Sequence, residues 1–125
     1  MRALVIDDEE VVRDLFGMLL RRNGYEVLLA GNGGEGLTLL KENLPVDIVL
    51  VDWTMPEMNG LAFLAAVRAD PGLAKTPVLL VTGDGNPAQL AQARETGADG
   101  VLVKPVTNRI LMDKIKSLGT GIDSW

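Results

Sequence analysis

The 125-residue chain contains no cysteine and no histidine. Without cysteine there is no disulfide, no thiolate nucleophile and no sulfur-ligated zinc. Without histidine there is no imidazole to act as general base, metal ligand or phosphoryl carrier, so any phosphoryl group handled here comes from another molecule. Aromatic residues are scarce, at 4%, and scattered, which leaves no stacking platform for bases. Positive charge is scarce too: the net charge is −5, and Arg21-Arg22 is the only adjacent basic pair. With no basic stripe to neutralise a phosphate backbone, nucleic acid is not expected as a direct partner. Long apolar runs are missing as well. The first, Ala3-Leu4-Val5-Ile6, is cut off by Asp7-Asp8-Glu9-Glu10, short of the roughly 7–15 apolar residues of a signal peptide. Nothing approaches the roughly 20 apolar residues of a membrane span, so the expectation is a soluble, cytoplasmic protein without a membrane partner.

What is present is apolar content of 47%, enough for a real core, at a length that suits one domain. Short runs rich in Val, Ile and Leu, at residues 3–6, 26–30, 48–51, 78–81 and 101–103, alternate with segments of helical period. That alternation predicts an α/β fold, a (βα)₅ doubly wound parallel five-stranded sheet covered on both faces. The first helix is expected over about residues 10–22, with Val12, Leu15, Phe16 and Leu19 at helical spacing and Asn23-Gly24 as its stop. The second is expected over about 34–42 with Leu37, Leu40 and Leu44 inward. The third covers 60–68. The fourth starts near Pro87, carries Leu90, Ala91 and Ala93, and ends at Gly97. Thr107 is the expected N-cap of the fifth, whose apolar face is Ile110, Leu111, Ile115 and Leu118. The domain is expected to span residues 1–118, with 119–125 a tail or the start of a linker.

The chemistry gathers at the strand ends, where open sheets of this kind place their sites. Strand one runs into Asp7-Asp8 and strand three into Asp52. Carboxylates that converge repel, and the repulsion is relieved by a hard, oxygen-ligated cation such as Mg²⁺. Glu9 and Glu10 are explained more simply by the positive end of the first helix. A nucleotide-binding phosphate loop would need glycines after strand one, and this loop is acidic; Gly31, Gly33, Gly34 and Gly36 follow strand two and read as a flexible turn. Strand four ends in Thr82-Gly83 and strand five in Lys104-Pro105, adding a hydroxyl and an ammonium at the same edge. A carboxylate nucleophile, a divalent cation, a hydroxyl and a lysine are the parts needed to accept a phosphoryl group on an aspartate, and Gly83 leaves backbone room beside it.

These residues resemble the receiver domain of bacterial two-component response regulators, the stand-alone CheY-like members above all. The resemblance is carried by Asp7-Asp8-Glu9, by Asp52-Trp53-Thr54-Met55-Pro56-Glu57-Met58-Asn59-Gly60, by Thr82-Gly83, and by Gly97-Ala98-Asp99 leading into Lys104-Pro105, and spans residues 2–118. It implies a flavodoxin-like fold with strand order 2-1-3-4-5 and a phosphoacceptor switch rather than a turnover enzyme. Asp52 would be the phosphoacceptor. Asp8, Asp52 and the backbone carbonyl of Thr54 would hold Mg²⁺, Asp7 would act mainly through water, and Thr82 and Lys104 would contact phosphoryl oxygens. Lys104-Pro105 would be cis. Thr54 and Asp84 would flank the path of attacking water. The donor would be a phosphohistidine of a sensor histidine kinase or phosphotransfer protein, which docks near the first helix and its Val11, Val12 and Leu15. The recipient of the signal would be a downstream protein or output domain. One departure stands out: the family's usual Tyr or Phe three residues before the lysine is Val101. A β-branched Val has few rotamers and no ring to swing, which motivates the alternative of a phosphorylation-independent interaction or dimerisation module. An aspartyl phosphohydrolase would want a second acid at position 54.

Overall fold

The computed structural model describes residues 1–120. Five strands and five helices alternate: β1 (Arg2–Ile6), α1 (Glu10–Arg22), β2 (Glu26–Ala30), α2 (Gly33–Glu42), β3 (Ile48–Asp52), α3 (Gly60–Ala69), β4 (Val78–Thr82), α4 (Pro87–Thr96), β5 (Gly100–Val103) and α5 (Asn108–Thr120). The strands form one parallel sheet in the order β2-β1-β3-β4-β5. The chain therefore winds outward in two directions from the β1–β3 pair, where Ile6 lies opposite Val51, and this reversal opens a crevice beyond their carboxyl ends.

β1, β3 and β4 are buried along both faces because alternate residues point to opposite sides of the pleat. Leu4, Ile6, Val49, Val51 and Leu80 face one core with Leu40, Phe63, Leu64, Val67 and Ala93 from α2, α3 and α4. Ala3, Val5, Ile48, Leu50 and Val81 face the other with Phe16, Leu19, Leu20 and Leu111 from α1 and α5. The helix boundaries follow local chemistry. α1 ends at Arg22, with Asn23 as its C-cap before Gly24, whose φ of +90° only glycine adopts freely. Asn32, Asn59 and Asn86 each accept a backbone N–H with the side chain and so cap α2, α3 and α4. The Thr107 hydroxyl accepts from Ile110 N at 3.2 Å, as expected of a cap.

Several expectations need correction. α2 begins at Gly33 and stops at Glu42, so Leu44 lies beyond the helix and is 45% exposed. The glycines after β2 are not a flexible turn. Gly33 and Gly36 are helical and buried, and a Cβ on Gly33 would lie 2.6 Å from Met58 Sδ, while one on Gly36 would collide with Ile6 and press on Phe63. Gly36 lets α2 approach Ile6 of β1, and Gly33 makes room for Met58 from the loop after β3. In α4, Ala91 is exposed. In α5, Ile110 is 46% exposed, and Met112 packs inward beside Leu111, Ile115 and Leu118. α5 runs on to Thr120, and residues 121–125 of the expected tail lie outside the described residues. Among the described residues, no helix is long and apolar enough to cross a membrane.

Candidate functional site

The polar residues expected at the site sit at or just past the carboxyl ends of strands, held there by the continuing ladder. Asp7 N donates to Ala30 O at 3.1 Å, Trp53 N to Val81 O at 2.8 Å, and Lys104 N to Thr82 O at 2.8 Å. Extended backbone thus delivers Asp7 and Asp8 from β1, Asp52 from β3, Thr82 from β4 and Lys104 from β5 to one edge. The loop after Asp52 returns sharply: Gly60 N donates to Trp53 O at 2.9 Å, and a Cβ on Gly60 would lie 2.5 Å from Asp52 O. Only glycine fits there, which explains its place eight residues after the aspartate.

One carboxylate oxygen from each of Asp7, Asp8 and Asp52 can be chosen so that all lie within 4.8 Å of one another. Asp7 is 2% and Asp52 8% exposed, whereas Asp8 faces solvent. Lys104 Nζ pairs with Asp52 Oδ1 at 3.2 Å. Burial pushes the Asp52 carboxyl above the usual carboxylate range; the Lys104 hydrogen bond and charge oppose this, and the Asp8 and Glu9 charges add to it. Asp7 is raised by burial first and by the charges of Asp52 and Asp8, against a hydrogen bond from Glu9 N to its Oδ1 at 2.9 Å. One lysine does not balance this cluster. Three oxygen donors, two of them poorly solvated and all repelling, are the donor set of a hard divalent cation. The residues present fit Mg²⁺.

Thr82 is 4% exposed, and its hydroxyl lies 3.1 Å from Asp84 O and 3.0 Å from Gln89 Oε1 while accepting from Asp84 N at 3.1 Å. Gly83 is exposed, with open space where a side chain would stand. Thr54 and Asp84 are exposed, flanking the crevice on β3 and β4 sides, and Asp84 Oδ2 accepts from Asn86 Nδ2 at 3.2 Å. The Lys104–Pro105 peptide is cis and Pro105 is exposed. Trp53, directly after the aspartate, is only 9% exposed and belongs to the core with Met55. Val101 is buried at 8% in the same cluster, against which Leu90 of α4 packs. On α1, Val11 and Leu15 are 82% and 47% exposed, while Phe16 and Leu19 are core. Gln89 escaped the sequence reading. Its only signal was a spacing of three from Asn86, which reads as ordinary helix capping.

The family model of the response regulator receiver domain matches residues 3–116. A chemotaxis protein CheY homolog of Campylobacter jejuni is 38% identical, covering 97% of this chain and 95% of its own length. Chemotaxis protein CheY1 of Helicobacter pylori strain J99 is also 38% identical, over 96% of this chain and 98% of its own. Among solved structures, chemotaxis protein CheY4 of Vibrio cholerae superposes with a TM-score of 0.88 at 31% identity, covering 94% of this chain and 97% of that one. A receiver domain protein of Clostridium thermocellum gives 0.86 at 32% identity, over 96% and 94%. With this fold, this edge of acids and this similarity over nearly all its length, the chain belongs to the response regulator receiver domain family as a CheY-like phosphoacceptor signalling switch.

Proposed function

We propose that Asp52 is the phosphoacceptor, within a receiver domain of residues 1–118, and that Asp8, Asp52 and the Thr54 carbonyl hold Mg²⁺ with Asp7 acting through water. The observation that carries this is the Lys104–Asp52 pair at 3.2 Å inside a three-carboxylate cluster at the sheet's switch point. When bound, Mg²⁺ supplies the positive charge that lets an anionic carboxylate approach an anionic phosphoryl donor. An Asp52 oxygen forms the new P–O bond as the donor's P–N bond breaks and its electron pair returns to the ring nitrogen, leaving an aspartyl phosphate and, with one proton on the ring carried over or taken from water, a neutral donor imidazole. Lys104 opposes the upward pull of burial on the carboxyl and orients it, then turns its ammonium to a phosphoryl oxygen. Thr82 donates its hydroxyl to another. Gly83 leaves the space in which these oxygens sit. Thr54 and Asp84, on the open side, flank the water that later hydrolyses the acyl phosphate.

Receiver domains work with histidine kinases and downstream targets, and a chain without histidine needs such a donor. For this chain the donor is the phosphohistidine of a sensor kinase or phosphotransfer protein in the cytoplasm, docking over the exposed Val11 and Leu15. The readout is a downstream protein or output domain. A phosphorylation-independent module would have no need of a buried, repelling acid cluster. The test is intact mass after incubation with acetyl phosphate and Mg²⁺. One added phosphoryl group in the parent and none in Asp52→Asn is the expected result; a gain in both variants sinks the Asp52 assignment. Thermal melts should also show Mg²⁺ at about 100 times its Kd stabilising the parent by about 2.7 kcal/mol, and Asp52→Asn by less.

A further inference from the structure

α4 begins with Asn86 at its N-cap and carries Gln89 three residues on, the spacing at which a Gln side chain would turn back to the N-cap amide. Gln89 N does donate to Asn86 Oδ1, at 2.9 Å, but its side-chain oxygen is taken by Thr82, 3.0 Å away. The Thr82 hydroxyl has one proton. Its oxygen accepts from Asp84 N, and that proton is shared between the Asp84 carbonyl and Gln89 Oε1. Donating it to a phosphoryl oxygen on Asp52 withdraws it from both.

Two further features make this bond consequential. Only Ala93 of α4 is buried, so little packing fixes the helix. Its far end is pinned, because Arg68 Nε donates to Gly97 O at 2.9 Å and the same guanidinium reaches Ala74 O, Thr76 O and the Asp99 carboxylate. The first turn of α4 is therefore the end free to move. Val101, buried in the same core cluster, offers neither a ring nor a polar group to sense Thr82. We propose that Gln89 is the positioning residue that reports Thr82 to α4, restraining the helix start while Asp52 is unmodified and releasing it when Thr82 turns to the phosphoryl group. This rests on the assignment of Asp52 and Thr82 above.

The test follows backbone amide shifts of residues 88–92 together with intact mass, in the full chain with acetyl phosphate and Mg²⁺. Gln89→Leu keeps the bulk and removes the acceptor; Gln89→Glu keeps the acceptor; Gln89→Ala, favourable in a helix, must behave like leucine. On phosphorylation the parent and Gln89→Glu are expected to shift these amides, whereas Gln89→Leu and Gln89→Ala lose the response at equal mass gain. Gln89→Leu should also gain mass roughly fivefold faster, the ratio set by one net hydrogen bond no longer holding Thr82 back. Equal amide responses in the parent and Gln89→Leu at equal mass gain overturn the relay and leave Asp52 as acceptor. No mass gain in the parent overturns the acceptor assignment, and the relay with it.

Discussion

α1 and α4 cover opposite faces of the same sheet, yet they are held by different forces. α1 sinks Phe16, Gly17, Leu19 and Leu20 into the core. α4 buries Ala93 alone, with Leu90 half-buried, and relies on polar ties at its two ends: Asn86 and Gln89 at the start, Gly97 under Arg68 at the finish. Apolar burial is insensitive to small changes of charge, whereas a hydrogen-bonded end can be released by a single proton donor changing partner. The helix next to the phosphoacceptor edge on the β4–β5 side is thus the one whose attachment a phosphoryl group can alter. α1 is the fixed platform. Elements that move in switching come from the weakly held end of a fold's stability range.

The largest effect that checks this contrast is a pair of truncations. Phe16→Ala should destabilise by about 3–5 kcal/mol, the usual cost for a buried aromatic. Leu90→Ala, at a half-buried position, should cost about 1 kcal/mol, less than full burial of such a side chain is worth. Urea denaturation midpoints give both values. A Leu90→Ala cost equal to that of Phe16→Ala would mean that α4 is as deeply anchored as α1.

The parts of this picture that were legible in the sequence are the parts carried by strand ends. Asp7, Asp8, Asp52, Thr82 and Lys104 each close an apolar run, and in a parallel sheet all runs end on one edge, so convergence follows from order along the chain. The order 2-1-3-4-5 came from the resemblance, since alternation of runs does not by itself order the strands. Side-chain facing was legible only in part. Helical spacing gives a stripe but not its width, which is how Ile110 was placed inward while Met112 takes the inner position. Leu44 continued the spacing of α2 after the helix itself had ended at Glu42. Gly36 meets Ile6 and Phe63, contacts distant in sequence that no local pattern encodes. Gln89 was hidden because a helix-start Gln has an ordinary use.

The next effect concerns the pin at the end of α4. The Arg68 guanidinium serves the carbonyls of Gly97, Ala74 and Thr76 and pairs with Asp99 at 3.0 Å. Arg68→Ala leaves the Gly97, Ala74 and Thr76 carbonyls without this donor, while Asp99 keeps Val78 N, and should cost about 2–3 kcal/mol. Hydrogen exchange should quicken in the last turn of α4 and stay slow in α1. Exchange unchanged in α4 would mean that Arg68 secures only the loop before β4.

At the start of α1 the charge balance gives a change of opposite sign. Folding raises the Asp7 pKa, chiefly through burial. Its contribution to stability is therefore present at low pH, where the carboxyl is protonated in both states, and is lost as pH rises from the ordinary carboxylate range through the raised value. At neutral pH the metal-free protein carries this charge at a cost. Asp7→Asn keeps an oxygen for Glu9 N and should stabilise the metal-free protein at neutral pH while shrinking the Mg²⁺-induced rise in melting temperature. A less stable Asp7→Asn without Mg²⁺ would show that Lys104 already balances the cluster.

The smallest effect separates the helices most finely, because the same cap stands on both α3 and α4. Asn59 Oδ1 accepts from Ala62 N at 2.8 Å, and Asn86 Oδ1 accepts from Gln89 N at 2.9 Å. α3 buries Gly60, Phe63, Leu64 and Val67, so its first turn forms with the core, and Asn59→Ala should cost the full value of about 1 kcal/mol in global unfolding. If the first turn of α4 opens independently, the cost of Asn86→Ala falls on that local opening instead. Global stability should then drop by less than about 0.5 kcal/mol, while hydrogen exchange at residues 90–92 accelerates about fivefold, the kinetic equivalent of the lost cap. Equal global costs for the two asparagines would place α4 in the same cooperative unit as α3, and the release of its start by one hydroxyl would then have to move the core as well.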